Sequence, residues 1–214
     1  MHALTKMAAA MLAAMALFVF GTAGPAPAAP PEATLDSFVP GAGVDSLARL
    51  KLKAKGTALQ GTVDWDGCRL AATVRAAQGR VKDATLKGEL NNSLVSTFIG
   101  TMGEKGFVPA AVESGGKIDS LLGLPAEQSS EDAVAAMLKW SDEGKTALHV
   151  LFLPEKASKS AGRAGKASPK APLGALLKPF GKEKAYVLTL FKDDTLAMYI
   201  GTVEGAAGML ASGR

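Results

Sequence analysis

Between residues 46 and 90 apolar and polar side chains alternate with period two, and no other feature of the chain constrains its fold as strongly. Leu50, Leu52 and Ala54 alternate with Lys51, Lys53 and Lys55, and Leu59, Gly61, Val63 and Trp65 alternate with Ala58, Gln60, Thr62 and Asp64. Cys68, Leu70, Ala72 and Val74 continue the pattern with Arg69, Thr73 and Arg75 on the other side, and residues 80–90 form a further run. Such alternation is the mark of a strand buried on one face only. The runs are separated by Lys55-Gly56, Asp66-Gly67 and Gln78-Gly79, of which Asp-Gly is a strong two-residue hairpin signal. Residues 46–90 are therefore expected to form an antiparallel meander with one wet, basic-leaning face.

The second half adds a helix and a hairpin. Ser129 and Asp132 have capping-box spacing ahead of an apolar run, which predicts a helix near 130–142, with Val134, Met137, Leu138 and Ser141 on one face and Gly144 as its stop. Residues 146–153 read as an apolar strand. Residues 184–192 and 195–203 read as a hairpin around Asp193-Asp194 with apolar groups on both faces, which suits the centre of a covered sheet. Residues 98–102 also echo residues 199–203 at a spacing of 101. As a duplication this echo would make residues 93–102 a strand; the alternative is coincidence among common hydrophobic patterns. The expected fold class is α+β, one domain with an antiparallel sheet and one or two helices on one face.

At the amino end, Lys6 precedes an apolar run over residues 7–20, then Gly21, Gly24 and the A-x-A of Ala26-Pro27-Ala28. This is the layout of a secretory signal peptide cleaved after Ala28. The run falls short of the roughly 20 residues that an uncleaved anchor would need. Residues 29–45 then read as a leader, and no later apolar stretch is long enough to span a bilayer. The expected location is periplasmic or secreted.

Chemistry is sparse. Cys68 is the one cysteine, which excludes an internal disulfide framework and any multi-Cys metal site, and with His2 and His149 the one pair of histidines most His-based metal sites are excluded too. No metal or cofactor is called for. Cys68 sits in an alternating run as a core thiol, and His149, within Ala147-Leu148-His149-Val150-Leu151, reads as a satisfied strand histidine. The two are nevertheless the weak candidates for a catalytic pair. Ser114-Gly115-Gly116-Lys117 has S-x-x-K spacing, but its glycines undermine the helical turn this chemistry needs. Gly144-Lys145-Thr146 lacks the earlier glycine of a P-loop and precedes a strand. Asp64-Trp65-Asp66-Gly67 lacks the rest of a calcium loop and is explained by hairpin chemistry. A sugar-stacking cleft would have to draw on Trp65, Trp140, Tyr186 and Tyr199.

Charge is the remaining signal. The formal net charge is +4, yet residues 155–184 alone hold eight Lys or Arg against Glu155 and Glu183, a net of +6. With Lys6 also removed, the rest of the chain stands at −3. Residues 154–172 have no large apolar side chain, so residues 154–183 are expected to be a mobile basic loop, followed by the hairpin within 184–214 that completes the domain. Lys156, Lys159, Arg163, Lys166 and Lys170 are the candidate contacts to an anionic surface, such as lipid head groups or an acidic envelope polymer; the alternative is a solvated linker. Nucleic acid is disfavoured because no aromatics are interleaved for stacking. The functional expectation is a non-enzymatic envelope protein that binds a partner, another envelope protein among them, or an apolar ligand. The alternatives are a small exported hydrolase, using Cys68 and His149 or a carboxylate pair, and a structural assembly factor.

Overall fold

The computed structural model describes residues 29–143, 146–168 and 171–212. The proposed signal peptide lies outside them. The alternating runs become strands β1 (Lys53–Lys55), β2 (Ala58–Trp65), β3 (Cys68–Ala77) and β4 (Arg80–Glu89). Asp66 and Gly67 (φ 53° and 74°) and Gln78 and Gly79 (φ 52° and 72°) both take the left-handed conformation, so their two-residue turns match the twist of the strands they join. Helix α1 (Asn92–Glu104) follows, its first turn capped by Asn91, whose Oδ1 accepts from the backbone N–H of Ser93 and Leu94. The chain continues through β5 (Phe107–Ser114), β6 (Lys117–Ser120), α2 (Ala126–Glu143), β7 (Leu148–Pro154), α3 (Glu155–Ala167), α4 (Leu173–Leu177), β8 (Lys184–Leu190), β9 (Thr195–Thr202) and α5 (Val203–Ser212).

All nine strands join one open sheet in the order β1-β2-β3-β4-β9-β8-β7-β5-β6, and every pair is antiparallel. This is the expected α+β class, with the β8–β9 hairpin at the centre as its two apolar faces require. Register divides the side chains between two faces. One cross-strand row runs Ala72, Leu86, Met198, Leu188, Val150, Val112; the adjacent row, on the opposite face, runs Ala71, Lys87, Ala197, Thr189, His149, Glu113.

The first face carries the larger core. It is covered by the amino-terminal segment, α1 and α2, and its centre is Phe98 of α1. That ring meets Trp65, Phe152 and Tyr186 edge-on at centroid distances of 6.3, 5.4 and 6.4 Å, a geometry aromatic pairs favour. Trp65 is on β2 and Phe152 on β7, so one side chain bridges both wings of the sheet. On the second face α3, α4 and α5 cover only the half built from β5, β7, β8 and β9, around a smaller cluster that includes Leu151, Val187 and Val203. The same face of β1–β4 is left bare, with Lys53, Lys55, Thr62, Arg69, Ala71, Arg75 and Lys87 exposed. It is the wet, basic-leaning face that the alternation implies.

Several expectations are corrected. Helices cover both faces, not one, because the hairpin strands and β7 are apolar on both sides. The leader is part of the core: Leu35 and Phe38 are buried, and the backbone of residues 31–33 pairs with Asp64 of β2. The start of the expected meander is not strand: Val44–Leu50 form a short 3-10 helix that buries Leu47 and Leu50, and the first strand is confined to Lys53–Lys55. Helix α2 begins before Ser129, which is buried and donates its hydroxyl to the carbonyl of Ala126, so Ser129 and Asp132 form no capping box. The buried side of α2 holds Ser129, Ala133 and Met137, while Val134 and Leu138 are exposed at 41% and 65%. Residues 98–102 are helical and residues 199–202 are strand, so the 101-residue echo is not a structural duplication.

The expected loop over residues 154–172 is mostly helix. Ala157, Ser158, Ala161 and Gly162 of α3 are buried. The absence of large side chains there reflects close approach, not disorder: a Cβ on Gly162 would stand 2.4 Å from the Cα of Gly123, in the loop after β6. Alanine and lysine are also strong helix formers, so the composition that suggested a mobile tether is equally that of a helix packed through its smallest residues.

Candidate functional site

Helix α3 turns the candidate basic residues into a pattern. Lys156, Lys159, Arg163 and Lys166 are all exposed, and their spacings of three, four and three residues confine them to about 80° of the helix circumference, at roughly 100° per residue. The opposite side carries the small residues that pack on β5 and β7. Lys159 pairs with Glu155 at 2.6 Å, an exposed i,i+4 contact of little energetic weight, and among the described residues the other three cations have no carboxylate within 4.0 Å. Lys170 lies outside the described residues. The outward charge follows from the fold: α3 must present Ala157, Ala161 and Gly162 to the sheet, so a three-to-four residue spacing of basic side chains emerges on the far side.

Cys68 and His149 are not brought together. Cys68 begins β3 and is half-buried on the first face, packed against the larger core and lining a shallow groove with Leu70, Glu89 and Asn91. His149 is on β7 and points to the second face. The intervening strands β4, β9 and β8 put four ladder spacings between them, about 19 Å at ~4.8 Å each. Opposite faces and that separation rule out the dyad.

Instead, His149 belongs to a polar row absent from the sequence reading. Glu113, His149 and Thr189 are directly opposite one another on β5, β7 and β8 and are all buried. His149 Nδ1 and Thr189 Oγ1 share a hydrogen bond at 2.9 Å, His149 Nε2 lies 3.6 Å from Glu113 Oε2, and Glu113 Oε1 accepts from the N–H of Gly116 at 2.7 Å. Burial pushes the imidazole pKa below its ordinary value, and the Glu113 carboxylate opposes that shift. Hydroxyl, imidazole and carboxylate are the components of a nucleophilic triad. Thr189 is, however, only 2% exposed, and none of the described grooves is lined by any of the three. The arrangement satisfies three buried polar groups and fixes the register of three strands.

The described grooves lie at the surface. The largest, about 810 Å³, runs between the end of α2 and the β5–β6 edge, with Val112, Ala136 and Leu148 beneath and Lys117, Asp119 and Lys139 on its rim. Trp140 stands in it, its indole N–H donated to the Thr146 carbonyl at 2.7 Å. The other three residues named for a sugar-stacking cleft, Trp65, Tyr186 and Tyr199, are buried. Between sheet and helices the apolar side chains are packed, Val63, Ala84, Leu86, Phe98, Met102 and Val150 having almost no accessible surface. Among the described residues no three His, Cys, Asp or Glu side chains come together as a metal site, and no helix is long and apolar enough to cross a membrane. Comparison of the chain with protein-family models, with curated proteins and with solved structures found no match.

Proposed function

We propose that this chain is a non-enzymatic, exported binding protein that uses α3 to dock on anionic lipid head groups. The observation that carries the reading is the exposed stripe of Lys156, Lys159, Arg163 and Lys166, held on a helix whose opposite side is packed on the sheet. A stripe held in one orientation presents its charges together, whereas the same charges on a mobile tether would lose conformational entropy on binding. The export half of the proposal rests on Lys6, the apolar run over residues 7–20 and the A-x-A ending at Ala28. An apolar ligand is the less favoured occupant, because the described space between sheet and helices is filled by side chains.

Near an anionic membrane each basic side chain contributes about 1 kcal/mol. With Lys159 partly engaged by Glu155, the stripe is worth about 3 kcal/mol, or roughly a hundredfold in affinity. The test is sedimentation of the protein with vesicles containing anionic and zwitterionic lipid, at low and high salt. Binding should need the anionic lipid, weaken with salt and fall at least tenfold when the four residues are replaced by Gln. Equal sedimentation of that variant, with its melting temperature unchanged, would refute the reading. For export, the amino terminus of the protein recovered outside the cytoplasm should be Ala29; recovery of an intact chain in the cytoplasm would count against it.

A further inference from the structure

The bare face of β1–β4 has a composition that solvation alone does not require. Its floor is flat and polar: Gln60 and Thr62 on β2, Ala71 and Thr73 on β3, and Thr85 on β4. The side chains of Gln60, Thr62, Thr73 and Thr85 make no hydrogen bond within the described residues, so their donors and acceptors are open to a ligand. Around this floor stand cations. Lys53 and Lys55 line the β1 edge, Arg69 the far end of β3, Lys87 the β4 side and Arg75 the near end of β3. Among the described residues Lys53, Lys55 and Arg69 have no carboxylate within 4.0 Å, although Asp64 stands opposite Arg69 in the β2–β3 register, its Oδ1 taken up by the N–H of Gly67. Lys87 is held over the ring of Phe191 at 5.1 Å and lies close enough to Asp193 to lower its pKa.

Arg75 is the most informative member. Its Nε and one Nη donate to the two oxygens of Asp83 at 2.6 and 2.7 Å, a bidentate pair that fixes the guanidinium plane. Asp83 is only 6% exposed although it lies on the open face, whereas the Arg75 side chain is 58% exposed. A buried carboxylate thus holds an exposed guanidinium in one orientation, with its remaining N–H groups free for an anion. Lys55 and Arg75 flank the small Ala58 in one cross-strand row, two ladder spacings or about 10 Å apart. Thr85 ends the next row against Tyr199, where the helical layer begins.

We propose that this shelf is a binding site for an acidic polysaccharide, with Arg75 as the preset anion contact, Lys53, Lys55, Arg69 and Lys87 as its other cations, and the threonine–glutamine floor engaging sugar hydroxyls. The spacing favours that class. Cations about 10 Å apart, separated by hydroxyls and an amide, suit a chain whose acid groups are separated by sugar hydroxyls. A polyphosphate has much denser charge and little to offer the floor. Nucleic acid bases would find only the half-buried ring of Phe191, already covered by Lys87, and no run of stacking platforms. A membrane would find no large exposed apolar side chain to insert, only Ala71. The site is distinct from the α3 stripe and does not depend on it.

The experiment titrates the full chain with oligogalacturonate at 150 mM salt, with polyphosphate, single-stranded DNA and neutral dextran as comparators. Saturable binding of oligogalacturonate, at least tenfold tighter than polyphosphate or DNA and absent for dextran, is expected. Two variants test the location. Lys53→Gln/Lys55→Gln/Arg69→Gln removes the unpaired cations, and Ala71→Glu places a carboxylate in the middle of the floor at an exposed strand position. Each should weaken binding at least tenfold with an unchanged melting temperature, while Gln replacements along α3 should change it less than twofold. No binding by the wild type, equal binding of polyphosphate or DNA, or wild-type affinity in both shelf variants would overturn the proposal.

Discussion

Replacing Gly162 by alanine tests the packing that orients α3. On helix propensity alone this change should stabilise the protein, since glycine in a helix interior costs about 1 kcal/mol relative to alanine. The contact geometry predicts the reverse. The added Cβ would stand 2.4 Å from the Cα of Gly123, 2.6 Å from its N and 2.8 Å from the carbonyl carbon of Leu122, all backbone atoms. Relief to an ordinary contact of 3.4 Å requires helix and loop to separate by about 1 Å, because the opposing atoms of Gly123 and Leu122 are all backbone. Overpacking of this kind costs about 1–3 kcal/mol, and the upper end applies because no side chain can rotate away. After the propensity gain, a net loss of about 2 kcal/mol remains, or a fall in Tm of about 4–8 °C for a domain of this size. Gly100→Ala in α1, where a Cβ meets nothing within 4 Å, is the control and should raise stability by about 0.5–1 kcal/mol. Thermal and urea melts followed by helical circular dichroism read both. If Gly162→Ala matches Gly100→Ala in raising Tm, the close Gly162–Gly123 approach, and with it the fixed orientation of the stripe, is wrong.

Four further outcomes follow from the same coordinates. Leu138→Lys should leave stability within about 0.5 kcal/mol because the side chain is 65% exposed, whereas Met137→Ala, one residue away but buried, should cost about 2–5 kcal/mol in urea unfolding. Thr189→Val should cost about 1–3 kcal/mol, because it removes the partner of His149 Nδ1 in a buried site. His149 has a folded-state pKa below its unfolded value near 6.5, so on acidification the unfolded chain takes up this proton first; its share of stability is intact above about pH 6.5 and is lost as pH falls toward the folded pKa. Urea midpoints compared at pH 7.5 and 5.5 should therefore drop less in His149→Gln than in the wild type, and identical drops would refute the assignment. Arg75→Met should cost about 1–2 kcal/mol in urea unfolding: a stranded buried carboxylate costs more, but Asp83 regains water once the half-exposed guanidinium is gone.

The parts of the fold legible in sequence are those governed by local periodicity and turn chemistry. The β2–β3 and β3–β4 hairpins follow from alternation and from Asp66-Gly67 and Gln78-Gly79, and the central place of β8–β9 follows from a hairpin too apolar to leave either face in water. What was not legible depends on contacts between distant segments. Val134 and Leu138 look like core because they are apolar at helical spacing. Which side of α2 meets the sheet is instead decided by where β5 and β7 lie, and Ala133 and Met137 face them. Helix α3 was hidden for the opposite reason: its burial is achieved through Ala157, Ala161 and Gly162, which hydrophobicity counts ignore, against a glycine 39 positions earlier in the chain.

The same distinction applies to the sites. The α3 cations are visible as a cluster in sequence, but their stripe exists only once the segment is helical. The shelf is subtler, because its members come from four strands and only the Lys51–Lys55 run is conspicuously basic in sequence. It is assembled by register, which places Lys55, Ala58, Arg75 and Asp83 in one row and Lys53, Gln60, Thr73 and Thr85 in the next. The choice of which face stays bare is also physical. Strands β5, β7, β8 and β9 are apolar on both sides and must be covered twice, so the chain spends three helices on their second face. Strands β2–β4 carry apolar residues on one side only and are satisfied by α1 and the amino-terminal segment. Covering their second face would bury Arg69, Lys87 and the open hydroxyls without partners, at a desolvation cost that no apolar contact there would offset. The polar alternation seen first in the sequence thus keeps half of one sheet face available, and the helices beside it form the step at which a bound chain would stop.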